Sequence, residues 1–414
     1  MDSVLKQAQN GKWLIIWTLW SLVYANSKAY LNLDALLMGG VIVWLMWLDW
    51  TKPMQLSWQK AIYMCFPIAG ISLLFSAPNG AYNLGILPLL VVGIMLVLRQ
   101  ERALWRYIGL GTLGVAFGLA LVSQWHWGTD NIDVFSITQQ GALDFWHGLN
   151  PYHMFYRSTT MGVHAFRYDY GPLWLPMTVP FALLGDVRLL MVLSAIGIVA
   201  LGVKCSGWRT PGTWLWVSLL VLSPWLYLPI LESWTELVMV LLFLLWYELR
   251  SRYSWAWLLL AVALGANPVI GIVLLPMFLV MPKTRRDMFY AGGLAAVCWL
   301  AAAGLSGHDF VKAFEIAGTQ KYPPTISVAG LYGTITHQAW PRLASLVLIL
   351  GSSVWVWCHR QGDLRKQEFL IAIGSTAIVW SLPGGYFEYA LIPAIWWWWL
   401  LRTPPEAEAI DAAA

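Results

Sequence analysis

Apolar residues run in long blocks along this chain, and polar residues gather between them. The blocks fall at about 13–28, 33–50, 61–76, 84–98, 107–124, 188–204, 213–230, 234–249, 288–304, 342–358, 367–382 and 386–401, each near the ~17–25 residues that a helix needs to cross a bilayer. Residues 255–281 break the pattern. Arg250 and Arg252 precede them, Lys283, Arg285 and Arg286 follow, and "GANPV" interrupts the middle. Basic flanks at both ends place both ends on one side of a membrane, so this run reads as two short helices that enter and return. The expected fold is all-α: a polytopic transmembrane helical protein with about 12 spans plus a re-entrant hairpin and large outer loops. Residues 1–104 read as a four-span extension, 105–402 as the main transmembrane module, and 403–414, "PPEAEAIDAAA" with its preceding residue, as a disordered cytoplasmic tail.

Composition agrees. Hydrophobic residues make up 59% and charged residues 11%, and the mean hydropathy is +0.62; such a chain is a membrane protein rather than a soluble domain. The N-terminal segment lacks a small-residue cleavage site and reads as a retained first span. Cys65, Cys205, Cys298 and Cys358 show no paired spacing, so neither a disulfide frame nor a metal knuckle is implied. Many of the 29 tryptophans flank apolar blocks, as interfacial belts do. The run Trp396 to Trp399 reads as lipid-facing packing. The net charge of +4 is small, and no nucleic-acid partner is expected.

The distribution of charge says more. With Arg99, Arg102 and Arg106 in the cytoplasm, Lys204, Arg209, the basic clusters at 250–252, 283–286 and 360–366, Arg402 and the N-terminal lysines all follow inside. Two long loops, about 125–187 and 305–341 by the same rule, then lie outside. They hold six of the seven histidines, together with Asp130, Asp133, Asp144, Asp169, Asp186, Asp309 and Glu315. Any chemistry is therefore expected on the outer face.

In the first loop, Ala142, Phe145, Trp146 and Leu149 recur at i, i+3, i+4 and i+7, which predicts a short amphipathic helix lying on the membrane. "GLNPY" ends it, with Pro151 forbidding continuation. Asp130 and Asp133 precede it, where the chain leaves the bilayer. A carboxylate at headgroup level is partly desolvated and is a better base than a free aspartate. Alternatively, Asp130 caps the loop helix and Asp133 is a solvated surface charge. Downstream, prolines 172, 176 and 180 punctuate "FRYDYGPLWLPMTVPFALLGD", a pattern for a partly inserted segment rather than an ordinary span. Tyr168 and Tyr170 lie near its entrance. Arg167 either holds a phosphate or snorkels to headgroups.

These segments together resemble the GT-C superfamily of integral-membrane glycosyltransferases. The nearest branch is the polyprenyl-phosphate-mannose-dependent, alpha-mannosyltransferase-like one. The resemblance rests on "DVFSITQQGALDFWHGLNPY", "FRYDYGPLWLPMTVPFALLG", "YPPTISVAGLYG" and "GGYFEYALIPAIW", and covers roughly residues 107 to 401. It implies an inverting transfer of a hexose such as mannose from a polyprenyl-phosphate carrier to the hydroxyl of a lipid or glycan acceptor. The reaction would take place at the extracytoplasmic face of the cell membrane, among membrane lipids and without a cofactor. It implies Asp133, then Asp130, as general base, and assigns the carrier phosphate to Arg167 with Lys321 or His337. The same resemblance gives Asn150, Tyr152, Tyr168 and Tyr170 to the substrate pocket. Glu388 either orients the acceptor or is a plain span-end carboxylate. Two positions depart from the family pattern: Asn267 stands where relatives often carry Lys, and Glu388 where some carry His. Four extra spans also precede the first outer loop.

Other signals are weaker. "GAYNLG" and "GLGTLG" are packing glycines, not phosphate loops. No pair of histidines at i, i+4 marks a zinc site, and no metal is expected. One rival reading is a transporter or flippase of lipid-linked sugars, which calls for ionisable groups in broken helices; Asn267–Pro268, Glu232 and Glu236 answer to that. The others are a non-catalytic subunit of a membrane complex and a different polyprenyl-linked enzyme.

Overall fold

The computed structural model describes residues 15, 17–19, 21, 65, 68–69, 86–98, 103–125, 133–157, 165–206, 211–281, 284–319, 342–361, 364–382 and 391–400. They are mostly helical, as the apolar blocks require. One element was not foreseen: a short antiparallel ribbon of β1 (Phe155–Arg157) and β2 (Ala165–Arg167), with Phe155 opposite Arg167. Among the described residues two helices, Arg188–Ser206 and Arg285–Ser306, are long and apolar enough to cross a membrane. Shorter apolar helices include Leu343–Cys358 and Leu391–Leu400.

The chain divides into two compact units. The first comprises Met1–Trp125, Val199–Leu228 and Ala394–Ala414. Here α1 (Leu87–Leu98) packs on α2 (Ala103–Ser123). The Tyr227 hydroxyl donates to the Ala120 carbonyl at 3.0 Å, and Trp225 Nε1 donates to Ser21 Oγ at 2.8 Å. The tryptophan run departs from expectation: Trp396, Trp398 and Trp399 are buried, not turned to lipid. Trp398 stacks on Trp216 at 3.7 Å, with an interplanar angle of 3°. Each indole donates to the other's backbone carbonyl, at 2.9 and 3.1 Å. An indole has one N–H to satisfy when buried, and this reciprocal pair satisfies both.

The second unit, His126–Ile198 and Pro229–Pro393, holds the first outer loop and the broken helices. Its loop elements are α3 (Asp133–Trp146), a 3₁₀ turn (Pro151–His153), the ribbon and α4 (Trp174–Leu183). The chain leaves this unit within α5 (Arg188–Ser206), runs through α6 (Pro211–Val221) in the first unit, and returns within α7 (Pro224–Glu232). At Ser233 the chain has φ +61, and α8 (Thr235–Leu249) begins only after Trp234. The 255–281 run is three pieces rather than two: α9 (Trp257–Ala266), α10 (Val269–Val273) and α11 (Leu275–Val280). Pro268 and Pro276 account for the breaks, since proline lacks the N–H that a continuing helix needs. Then follow α12 (Arg285–Ser306), α13 (His308–Thr319), α14 (Arg342–Cys358) and α15 (Leu364–Ser381), before α16 (Leu391–Leu400).

Helix α12 is the strut of this unit. With 22 residues it is about 33 Å long. At its N-terminus the basic clusters meet. The Arg285 and Arg360 guanidiniums lie over the Trp357 ring at 5.6 and 3.6 Å, and Arg250 lies over Tyr247 at 4.1 Å. At its C-terminus sit Ser306 and, one residue beyond Gly307, the start of α13. Between the two ends Phe289, Val297, Leu300 and Leu305 are exposed.

Candidate functional site

The loop is built by local rules first. Val134, Ile137, Thr138 and Ala142 of α3 are buried, at i, i+3, i+4 and i+8, and Ala142, with Phe135 and Leu143 beside it, packs with Val179, Ala182 and Val187. This corrects the sequence reading in one way: the helix begins at Asp133 instead of after it. Phe145, Trp146 and Leu149, expected to face the membrane, lie exposed towards its far end, and of that stripe only Ala142 packs within the protein. Gln139 fastens the contact by donating to the Ala182 carbonyl at 3.2 Å and accepting from Val187 N–H at 3.0 Å.

Gly148, at φ +77, ends α3. Its N–H donates to the Phe145 carbonyl and that of Leu149 to the Asp144 carbonyl, at 3.0 and 2.9 Å; this is the two-bond stop that a left-handed residue permits. Asn150 then starts the 3₁₀ turn. Its Oδ1 accepts from Tyr152 N–H at 3.1 Å, and its Nδ2 donates to Ser306 Oγ at 2.9 Å. One side chain thus caps the turn and ties it to the end of α12.

The tyrosines form a buried aromatic cluster. Tyr152 meets Tyr168 edge-on at 5.3 Å and Phe310 at 4.8 Å, and Tyr168 meets Tyr170 at 5.7 Å. The Tyr152 hydroxyl donates to the Tyr170 carbonyl at 2.9 Å, and that of Tyr156 donates to Asp144 Oδ2 at 3.1 Å. Burial, with Asp169 nearby, pushes the Tyr152 phenol above its ordinary range; burial and then Asp144 do the same to Tyr156. Tyr168 is fully buried, and its hydroxyl has no hydrogen-bond partner among the described residues. Burial raises its pKa as well, with Tyr152, Asp169 and Tyr156 adding to the effect. These phenols stay neutral and serve as packing and hydrogen-bonding groups.

The loop docks on the open end of α9. Gly171 N–H donates to the Ala266 carbonyl at 2.8 Å, and Leu173 N–H donates to the Gly265 carbonyl at 3.2 Å. Trp299 Nε1 reaches the Leu264 carbonyl at 3.3 Å. The break at Asn267–Pro268 frees these carbonyls, and the loop supplies their donors. Only glycine allows this approach at 171, since a Cβ there would lie 2.2 Å from the Gly265 carbonyl oxygen. Beside the docking point an open apolar groove of about 410 Å³ runs along α12, lined by Leu264, Pro268, Met288, Ala295 and Trp299 among others.

Beneath the same break, Asn267 is buried. Its Nδ2 donates to Glu236 Oε1 at 3.0 Å and its Oδ1 accepts from Val269 N–H at 3.1 Å. Glu236 opens α8, and Glu232 closes α7; both are buried. Two helix breaks therefore share one hydrogen bond.

Arg167 has a partner that the sequence did not suggest. Its Nη1 donates to Asp309 Oδ1 at 2.7 Å and to the Tyr152 carbonyl at 3.4 Å, and its guanidinium covers the Phe155 ring at 4.5 Å. It is pinned to protein rather than snorkelling outward. Of the residues nominated from the sequence, Asn150, Tyr152, Arg167, Tyr168 and Tyr170 are brought into this one cluster. Asp133 is placed by its backbone as the first residue of α3. Asp130, Lys321, His337 and Glu388 lie outside the described residues. Asp309, Ser306 and Gly171 were given no role from sequence. Only Gly171, in "YGP", carried a local turn signal.

Comparison with protein-family models, curated proteins and solved structures returns no match for this chain.

Proposed function

We propose that the chain is an integral-membrane glycosyltransferase of GT-C type. It moves a hexose from a polyprenyl-phosphate carrier to an acceptor hydroxyl on the extracytoplasmic side of the cell membrane, in a multi-pass fold of about 12 spans and one re-entrant segment. The observation that carries this reading is the position of the site along α12. An aromatic and cationic loop sits at one end, the basic clusters at the other, about 33 Å apart. A hydrocarbon core is about 30 Å thick, so if α12 spans it the loop would lie at one surface and the arginines at the opposite one, which agrees with the positive-inside rule. The apolar groove lies between them, open to where lipid tails would be.

In this reading the acceptor hydroxyl loses its proton to the carboxylate of Asp133, or of Asp130, and its oxygen attacks the anomeric carbon. The bond from that carbon to the phosphate oxygen breaks, with inversion, and the carrier leaves as its phosphate. Arg167 offsets the charge that develops on the leaving group. The test is transfer from a polyprenyl-phosphate hexose in proteoliposomes. Asp133→Asn abolishes transfer while folding and carrier binding persist. Full activity in both Asp133→Asn and Asp130→Asn would sink the assignment.

One observation favours a second reading, a translocator of lipid-linked sugars. The paired helix breaks bury Glu232, Glu236 and Asn267, with Ser233 and Thr235 beside them. Buried ionisable groups at helix breaks mark transport sites. Glu236→Gln separates the two readings: a translocator loses lipid-sugar movement across vesicles, and a transferase shows no such movement in either form.

A further inference from the structure

Two cations and an imidazole lie about one carboxylate at the foot of α13. Arg167 Nη1 lies 2.7 Å from Asp309 Oδ1, and His153 Nδ1 lies 3.4 Å from Oδ2. Lys312, three residues on in the same helix, adds its field. The Arg167 hydrogen bond first, then the charges of Arg167, His153 and Lys312, hold the Asp309 carboxyl below its ordinary range. Arg167 and Lys312 alone exceed the one negative charge, and a protonated His153 adds a third positive charge. The cluster is therefore an anion site already holding an anion.

The holder and the held differ in exposure and anchoring. Arg167 is only 11% exposed, anchored by the Tyr152 carbonyl and by Phe155. Asp309 is 34% exposed, on a separate helix 142 residues away in sequence. A guanidinium fork donates to two oxygens of a phosphate in the geometry in which it donates to those of a carboxylate. The stacking on Phe155 and the bond to Tyr152 do not depend on which anion is bound. The cationic side is thus preorganised, and the carboxylate is the exchangeable part.

We propose that Asp309 is a resident stand-in for a lipid phosphate. Its carboxylate occupies Arg167 in the empty protein, and a phosphate monoester on an isoprenoid chain displaces it, with His153 and Lys312 completing the site. This rests on the loop being the carrier site. It adds that the site is self-blocked until the carrier arrives, so that removing the block strengthens binding.

The experiment titrates the full chain in nanodiscs with farnesyl phosphate, and separately with inorganic phosphate, following intrinsic tryptophan fluorescence. Asp309→Asn binds farnesyl phosphate about three- to tenfold tighter than wild type, the size expected for losing one partly exposed competing charge. Arg167→Gln binds it weakly, and Asp309→Asn added to Arg167→Gln restores nothing, because the block acts through that one guanidinium. Unchanged or weaker binding in Asp309→Asn, with near-ultraviolet circular dichroism like wild type, overturns the proposal. If Asp309→Asn unfolds, Asp309→Glu serves: a longer carboxylate that still reaches Arg167 keeps wild-type affinity, whereas a lost affinity counts against a stand-in. Farnesyl phosphate bound no tighter than inorganic phosphate overturns the lipid assignment. Tighter binding in Asp309→Asn without any sugar transfer by wild type would fail the transferase reading alone. Transfer by wild type with no phosphate affinity at Arg167 would fail this proposal alone.

Discussion

Gly171→Ala is the sharpest test of how the loop is held. The added methyl would lie 2.2 Å from the Gly265 carbonyl oxygen, 2.8 Å from the Ala266 carbonyl oxygen and 2.7 Å from the Trp299 ring. Two of these are backbone atoms at the end of a helix, so they cannot rotate away. The loop must lift, which breaks the Gly171 and Leu173 bonds to α9. Each hydrogen bond contributes about 1 kcal/mol net, and forcing volume into a packed contact costs about 1–3 kcal/mol. The sum is about 3–5 kcal/mol, a large part of the roughly 5–15 kcal/mol that holds a typical domain. The assay is thermal unfolding of the chain in nanodiscs, with protease protection of residues 133–184 as a local readout. Gly292→Ala is the control, since nothing lies within 4 Å of its added Cβ. If Gly171→Ala unfolds within about 0.5 kcal/mol of wild type, as an indifferent surface change does, the docking of the loop on α9 is wrong.

Three further outcomes are expected. Asn150→Ala loses both the cap on Tyr152 and the bond to Ser306, and destabilises by about 1–2 kcal/mol in a denaturant titration; an unchanged midpoint would contradict it. Tyr168→Phe removes a buried hydroxyl that has no described partner, so stability holds or rises by about 1 kcal/mol in the same titration; a fall would mean that the hydroxyl is bonded after all. The Arg167–Asp309 tie is acid-labile: because the folded carboxyl is held below its ordinary value, its contribution is complete above about pH 4 and is lost as pH falls through the folded value. The protection factors of residues 165–170 against hydrogen exchange, taken relative to the intrinsic rate at each pH, should therefore fall at acid pH in wild type, and show no such step in Asp309→Asn.

Much of the architecture was legible from local pattern. The apolar blocks at 107–124, 188–204, 288–304 and 342–358 coincide closely with α2, α5, α12 and α14. The reason is that a long apolar helix is a low-energy state by itself, whatever it later packs against. "GLNPY" was legible as a stop because glycine and proline act on their own backbone. The protein-facing side of α3 was not legible, for the converse reason. Phe145, Trp146 and Leu149 have helical spacing and lie exposed, whereas the packed side is decided by Val179, Ala182 and Val187, which the helix meets only in the folded chain. The two short strands of the ribbon left no periodic signal to read.

Local chemistry along the chain specifies a helical protein with long apolar segments, basic clusters between certain of them, and a loop rich in aromatic and acidic residues with a capped turn inside it. Each is a property of neighbours in the chain, where spacing and backbone chemistry act directly. Folding alone brings Arg167 to Asp309, Asn150 to Ser306 and Gly171 to the carbonyls of α9. Those pairs are 142, 156 and 95 residues apart in the numbering of the chain. No local term links residues so distant. Their meeting follows from the breaks at Pro268 and Ser233 and the length of α12, which leave unpaired backbone and charge at one end of a strut for the loop to satisfy.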